Sequence, residues 1–239
     1  AGLYKDVPFH NFEHASHVTL AADRLMSRMV SMDGLDEDEM YNATYGISAD
    51  PLTHFAVIFG ALIHDLGHKG IANSQLVLEE DKMAVKFKGR SVAEQNSVNE
   101  GWQLLMNERY ERLRAHIYLS NVERKRFRQV LTNAVMATDI ADRDVNKFRS
   151  RKWDKAFNDI DELGTSDIMT HDEINRKATV VIENLIQVAD VSHTMQHWHV
   201  YRKWNTRLFQ EMMLAYRNGR SSFDPSANWY QGEIGFFDH

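Results

Sequence analysis

Apolar residues recur at helical spacing along most of this chain. Over residues 11–31, Phe12, Ala15, Val18, Leu25 and Met29 follow a 3.6-residue repeat, which predicts an amphipathic helix. Residues 52–66 are mostly apolar through FAVIFGALI (55–63) and predict a buried core helix, broken at Gly67-His68-Lys69-Gly70. Segments 74–82 and 91–107 are amphipathic, and 121–138 and 142–158 continue the helical pattern with exposed charges. Thr170 with Glu173 three residues on predicts a capping box for a helix over about 172–191, carrying Ile174, Val181, Leu185 and Val188. A further long helix is expected over 194–217. Residues 34–51, 161–172 and 218–228 read as connections. Strict period-two alternation never extends beyond a few residues, so the pattern predicts an all-α fold.

Composition supports that reading and narrows the chemistry. With 239 residues the chain can bury a substantial core, and it is read as one domain over 1–239. Only three prolines and twelve glycines favour long helices over a turn-rich β architecture. There is no cysteine, so any metal must be held by His, Asp or Glu, which points to Zn, Mg, Mn or Fe. The net charge of -6 and the lack of a basic stripe argue against a nucleic-acid partner; ERKRFR (123–128) is a solvated helix face. The longest apolar run has nine residues, too short to span a bilayer, so no membrane contact is expected from this segment. No targeting segment is visible, and a cytoplasmic or cytosol-facing setting is expected. The start at Ala1 and the end at FFDH suggest a domain trimmed at both ends, with regulatory domains possible outside it.

Six residues from three stretches carry the chemistry. They are His10 and His14 in PFHNFEHASHV, His64, Asp65 and His68 in ALIHDLGHKG, and Asp190 in VIENLIQVADVSH. On a helix, adjacent His64 and Asp65 would point ~100° apart and serve two directions around a metal. His68 and the pair His10/His14 would add ligands or proton donors one turn apart. Twelve histidines are present, and one taken singly is more often a surface or core residue than a ligand. The order H-N-x-x-H, H-D-x-x-H-x-G and a later A-D within long helices is far more specific. It suits a binuclear metal site that hydrolyses a phosphate ester.

These motifs, with RSVAEQ, ATD, VADVSH, RKWNTRLFQEM and GEIGFFD, run in the order of a known family. The chain resembles the class I cyclic nucleotide phosphodiesterase catalytic domain, a branch of the HD superfamily of metal-dependent phosphohydrolases. The resemblance covers nearly the whole chain and implies a compact multi-helix domain around a deep metal-containing pocket. By that resemblance His14, His64, Asp65 and Asp190 hold the tighter metal, usually zinc. Asp65 bridges to a second metal, usually Mg or Mn, whose waters are held by His68, Glu94 and Thr138. His10 matches the general acid for the leaving 3′ oxygen. It needs a carboxylate partner to stay charged, and Glu94 is the candidate. The substrate implied is a 3′,5′-cyclic nucleotide.

Leu208 and Phe236 match the two sides of the family's base clamp, and His193, one turn beyond Asp190, is expected to face the pocket. Two positions depart from the family. Glu233 stands where a glutamine normally reads the purine edge. An ionised carboxylate only accepts hydrogen bonds, which suits guanine's paired donors and gives a lean toward cGMP. Ser97 stands where the family carries a histidine behind the second metal, and its shorter hydroxyl is expected to hold a water with weaker metal binding. The competing readings are an HD hydrolase of another nucleotide ester and a cyclic-nucleotide-binding pseudoenzyme.

Overall fold

The computed structural model describes residues 1–31, 34–158 and 169–237, with backbone alone for Arg143 and for 233–237. Among the described residues it is all-α, with twelve helices: α1 (Phe12–Met29), α2 (Glu37–Ala43), α3 (Pro51–Ile63), α4 (Asn73–Leu78), α5 (Lys82–Lys86), α6 (Val92–Met106), α7 (Glu111–Ile117), α8 (Asn121–Met136), α9 (Arg143–Trp153), α10 (His171–Asp190), α11 (Trp198–Arg217) and α12 (Pro225–Phe237). No helix among the described residues is long and apolar enough to cross a membrane.

The central element is α3, whose apolar sequence follows from burial between α1, α8, α6 and α10. On one side Val57 and Ala61 pack with Val18, Ala22 and Met26 of α1, Ala134 of α8, and Ile182, Ile186 and Ala189 of α10. On the other, Ala56 and Ile63 meet Val98 and Leu105 of α6 and Phe127, Leu131 and Val135 of α8. Each fully buried aliphatic or Phe side chain contributes about 1.5–3 kcal/mol. Gly101 lets α6 close on α3, since a Cβ there would stand 3.3 Å from Ile63 Cβ and overlap its Cδ1. This packing holds the C-terminal end of α3, immediately before His64, between α1 and α10.

The capping box at Thr170 and Glu173 is present and starts α10 at His171. Several expectations need correction. The stretch 34–51 is not only a connection: Asp36 and Glu39 form a second capping box that starts α2. α2 buries no residue, so it left no apolar periodicity to read. The 74–82 segment is helical only to Leu78, and after the left-handed Glu80 a second short helix, α5, starts at Lys82. The 218–228 connection ends early because Asp224 accepts the Ser226 N–H at 2.9 Å and Pro225 opens α12. Residues 161–168 of the expected 161–172 loop lie outside the described residues.

Candidate active site

Three helix ends converge on one cavity of about 410 Å³. The first is the start of α1. Asn11 caps it by accepting the N–H groups of Glu13 (2.9 Å) and His14 (3.2 Å), while its own amide donates to the Val7 carbonyl at 2.9 Å. His14 therefore lies in the first turn, and His10 lies before the helix rather than on a shared helical face, as the sequence had suggested. The second is the end of α3. His64 is its C-cap and Asp65 begins the following turn, so the pair diverges at a helix terminus, not along a helix. The third is Asp190, the last residue of α10, with His193 in the turn beyond.

His14, His64, Asp65 and Asp190 meet in the protein interior. His14 Nε2 is 2.9 Å from Asp190 Oδ1 and 3.7 Å from Asp65 Oδ2. His64 Nε2 is 3.0 Å from Asp65 Oδ2 and 3.4 Å from Asp190 Oδ1. Four ligands about 2.0–2.1 Å from one tetrahedral metal stand about 3.3–3.4 Å apart, so these distances bracket that spacing. His64 Nδ1 donates to the Ala61 carbonyl at 2.9 Å, which turns Nε2 toward the carboxylates, where it carries either a proton or a lone pair open to a metal. That nitrogen and Asp65 Oδ2 are buried without hydrogen-bond partners. Acceptors facing acceptors in a dry site repel unless a cation lies among them. The titration behaviour agrees. Burial opposes charge on His64, but Asp65 and Asp190 outweigh it and hold the imidazole well above its usual range. Burial also opposes charge on both carboxylates, yet the histidines keep Asp65 and Asp190 well below theirs. The donor set thus fits a divalent metal, and its nitrogen and oxygen chemistry fits zinc among others.

His68, Glu94 and Thr138 line the same cavity beside Asp65. Asn73 holds Glu94, donating to Oε2 at 2.9 Å and accepting the Ala93 N–H at 2.9 Å. Burial, reinforced by Asp139, pushes Glu94 up to about 7, the behaviour of a carboxylate group short of a cation. The Thr138 hydroxyl donates to the Val135 carbonyl at 2.8 Å, which leaves oxygen lone pairs for a water's proton. Ser97 is not part of the cavity lining. It is fully buried, and its hydroxyl lies 3.1 Å from the Leu66 carbonyl and 3.0 Å from that of Ala93. It links α6 to the turn after Asp65 instead.

The carboxylate partner of His10 is Glu211 of α11, not Glu94. Glu211 Oε1 hydrogen-bonds His10 Nδ1, while Oε2 accepts the backbone N–H groups of Phe9 (2.8 Å) and His10 (3.0 Å). Burial disfavours a charged His10, but Asp65 and Glu211 outweigh it and raise the ring to about 9. The His68 ring lies 3.9 Å away, centroid to centroid; burial and the neighbouring charge of His10 lower it to about 4. The two rings therefore differ in charge at neutral pH: His10 protonated, His68 neutral. A signal for Glu211 does exist in the sequence, as Trp204, Leu208 and Glu211 share one helical face and a buried acid on an apolar face requires a partner.

The opposite half of the cavity is apolar. Tyr201, Asn205, Leu208 and Met212 form one face of α11, and Phe223 and Trp229 close it. The α12 backbone leaves helical geometry at Asn228, immediately before Trp229. The indole N–H donates to Asn205 Oδ1 at 3.1 Å, and the ring meets Phe209 edge-on at 5.1 Å. Sequence reasoning missed Trp229, which follows the expected 218–228 connection and lies in none of the motifs read. Leu208 and His193 line the cavity as expected, the latter lowered to about 4 by burial and by His14. Trp204 is buried under His14, Phe9 and His193. The side chains of Glu233 and Phe236 lie outside the described residues.

Residues 9–229 match the family described as 3′5′-cyclic nucleotide phosphodiesterase. Among curated proteins, a probable 3′,5′-cyclic-AMP phosphodiesterase of Caenorhabditis elegans is 25% identical over 87% of this chain and 28% of its own length. The human dual specificity calcium/calmodulin-dependent 3′,5′-cyclic nucleotide phosphodiesterase 1C is 25% identical over 97% of this chain and 29% of its own. The chain thus spans about a third or less of the length of the curated relatives it matches. The crystal structure of the phosphodiesterase domain of Salpingoeca rosetta rhodopsin phosphodiesterase superposes with a TM-score of 0.71 at 23% identity, covering 99% of this chain and 67% of that one.

Proposed function

This chain belongs to the 3′,5′-cyclic nucleotide phosphodiesterase family, and we propose that it hydrolyses the 3′ phosphoester bond of a cyclic nucleotide to give the 5′-nucleoside monophosphate. The observation that carries this reading is one cavity with two unlike halves. Four converging metal donors and a charged His10–Glu211 pair face an apolar wall built on α11. A cyclic nucleotide is amphiphilic in the same sense, with a charged phosphodiester and a flat base.

His14, His64, Asp65 and Asp190 would hold zinc, and Asp65 with the waters on His68, Glu94 and Thr138 would hold Mg or Mn. When bound, such a pair of cations lowers the pKa of a shared water and neutralises phosphoryl oxygens. His10 then donates its Nε2 proton to the departing 3′ oxygen, and Glu211, bonded at Nδ1, keeps the ring protonated until that moment. Neutral His68 competes little for this proton. Leu208, and by family pattern Phe236, would clamp the base, with His193 at the edge of the pocket.

For the nucleotide, Glu233 supports a lean toward cGMP, because a carboxylate accepts from guanine N1–H and its amine together but meets adenine's N1 with repulsion. The relatives named above carry cyclic-AMP or dual-specificity names, which supports the substrate class without separating the two bases. The test is hydrolysis of cAMP and cGMP with and without chelator and added Mg or Mn, for wild type and Glu233→Gln. Chelator-sensitive turnover with a cGMP preference that relaxes in the variant is expected. A metal-replete protein that turns over neither nucleotide would sink the hydrolase reading, and a cAMP preference untouched by the substitution would sink the base assignment.

A further inference from the structure

The turn that presents Thr138 to the cavity is held from outside the active site. α8 ends at Met136, and its last carbonyls have no helical partners of their own. Across 136–140 every carbonyl is nevertheless bonded. Arg149 Nη2 donates to Met136 O at 3.2 Å and to Asp139 O at 2.8 Å, on either side of Thr138. Gln187 of α10 donates to Ala137 O at 3.0 Å, Ile140 N–H to Thr138 O at 2.8 Å, and Asn146 to Ile140 O at 2.9 Å. Asn146 also accepts from Arg149 Nη1 at 2.9 Å, which fixes the guanidinium plane. The half-buried cation sits at the negative end of α8 and among Glu183, Asp139, Glu94 and Asp142.

We propose that Arg149 is a positioning residue for the metal-water side of the cavity: its two carbonyl bonds keep Thr138 beside Glu94. This rests on the hydrolase reading above for its functional meaning. Among the described residues no other side chain donates to both carbonyls that bracket Thr138, and an aliphatic side chain in its place would leave both without this donor. Lys152 makes a useful contrast. It pairs with the buried Glu183 and ties the same helix, α9, to α10, without touching the 136–140 turn.

The test compares Arg149→Met, Arg149→Lys and Lys152→Met in the zinc-loaded protein. Manganese binding is followed by the electron-spin-resonance signal of free Mn²⁺, with thermal unfolding and hydrolysis against Mg²⁺ concentration alongside. For Arg149→Met, Mn²⁺ affinity at the weaker site should fall about tenfold and the half-saturating Mg²⁺ should rise in step, while KM for the cyclic nucleotide moves less than threefold. Lysine keeps the charge but loses the second nitrogen that holds the group to Asn146, so Arg149→Lys should fall between. Lys152→Met should lower Tm and leave Mn²⁺ affinity alone. An Arg149→Met protein that loses Tm but binds Mn²⁺ within twofold of wild type overturns the proposal. If wild type binds Mn²⁺ yet hydrolyses no cyclic nucleotide, the hydrolase reading fails while the Mn²⁺ comparison still decides the role of Arg149.

Discussion

Glu211→Gln isolates the charge that keeps His10 protonated. The glutamine oxygen can still accept the N–H groups of Phe9 and His10, so the loop before α1 keeps its anchor. What is lost is the charged hydrogen bond to Nδ1, about 1.5–3 kcal/mol, which corresponds to about 1–2 pKa units on the ring. The fold raises His10 above its ordinary 6.5, so the ion pair is complete below that value and disappears as pH climbs through about 9. Without the carboxylate, the ring should lose its proton as pH climbs through roughly 7–8 instead. With proton donation required, kcat/KM at pH 8.5 should fall roughly 3- to 25-fold relative to wild type and stay close to it at pH 6.5. The assay is kcat/KM from pH 6 to 10 at saturating divalent cation. An alkaline limb that does not move, or a loss equal at every pH, refutes the claim that Glu211 acts through the charge of His10.

Asp65→Ala removes the oxygen shared between His14 and His64, so bound zinc measured by elemental analysis should drop at least by half and turnover should vanish. Full metal content with normal turnover would contradict the donor set. Gly101→Ala forces a methyl against Ile63, next to His64, and should cost about 1–3 kcal/mol, visible as a lowered Tm. An unchanged Tm would mean that Ile63 has room to rotate. Trp229 has spent its only polar group on Asn205 and can offer a base just its ring. Trp229→Ala should therefore raise KM roughly 5- to 150-fold for cAMP and cGMP alike, with Trp229→Phe close to wild type. A change in the ratio between the two nucleotides would show that the indole discriminates.

Elements that bury an apolar stripe were legible, and elements that do not were not. α1, α3, α10 and α11 each place a periodic face in the core, so their sequences carry that period. α2 packs nothing away and is held by its capping box; only the Asp36 and Glu39 spacing could have revealed it. The candidate donor quartet was legible for a related reason. Each member sits at or near a helix end, where a side chain can leave the core stripe without disrupting it, and each falls within a short motif.

The error over the partner of His10 has a more general physical cause. Glu94 and Glu211 are both acids on helices, and nothing local distinguishes which one meets a histidine 84 or 201 residues away. Their environments do. Glu94 faces Asn73 and Asp139, cannot shed its proton readily, and so suits a cation or its waters. Glu211 meets the charged His10 ring and also receives two backbone N–H groups from the segment containing it; the His10 charge first, then these hydrogen bonds, hold it below the usual carboxylate range against the effect of burial. α1 begins at Phe12, after the Asn11 cap, and leaves Phe9 and His10 in the segment before the helix, with both amides turned to Glu211. On a helical face shared with His14, as the H-N-x-x-H spacing suggested, the His10 ring would instead have been held to the direction of that face. The cap at Asn11 therefore leaves His10 in the segment that Glu211 anchors, and Glu211 rather than Glu94 pairs with its ring.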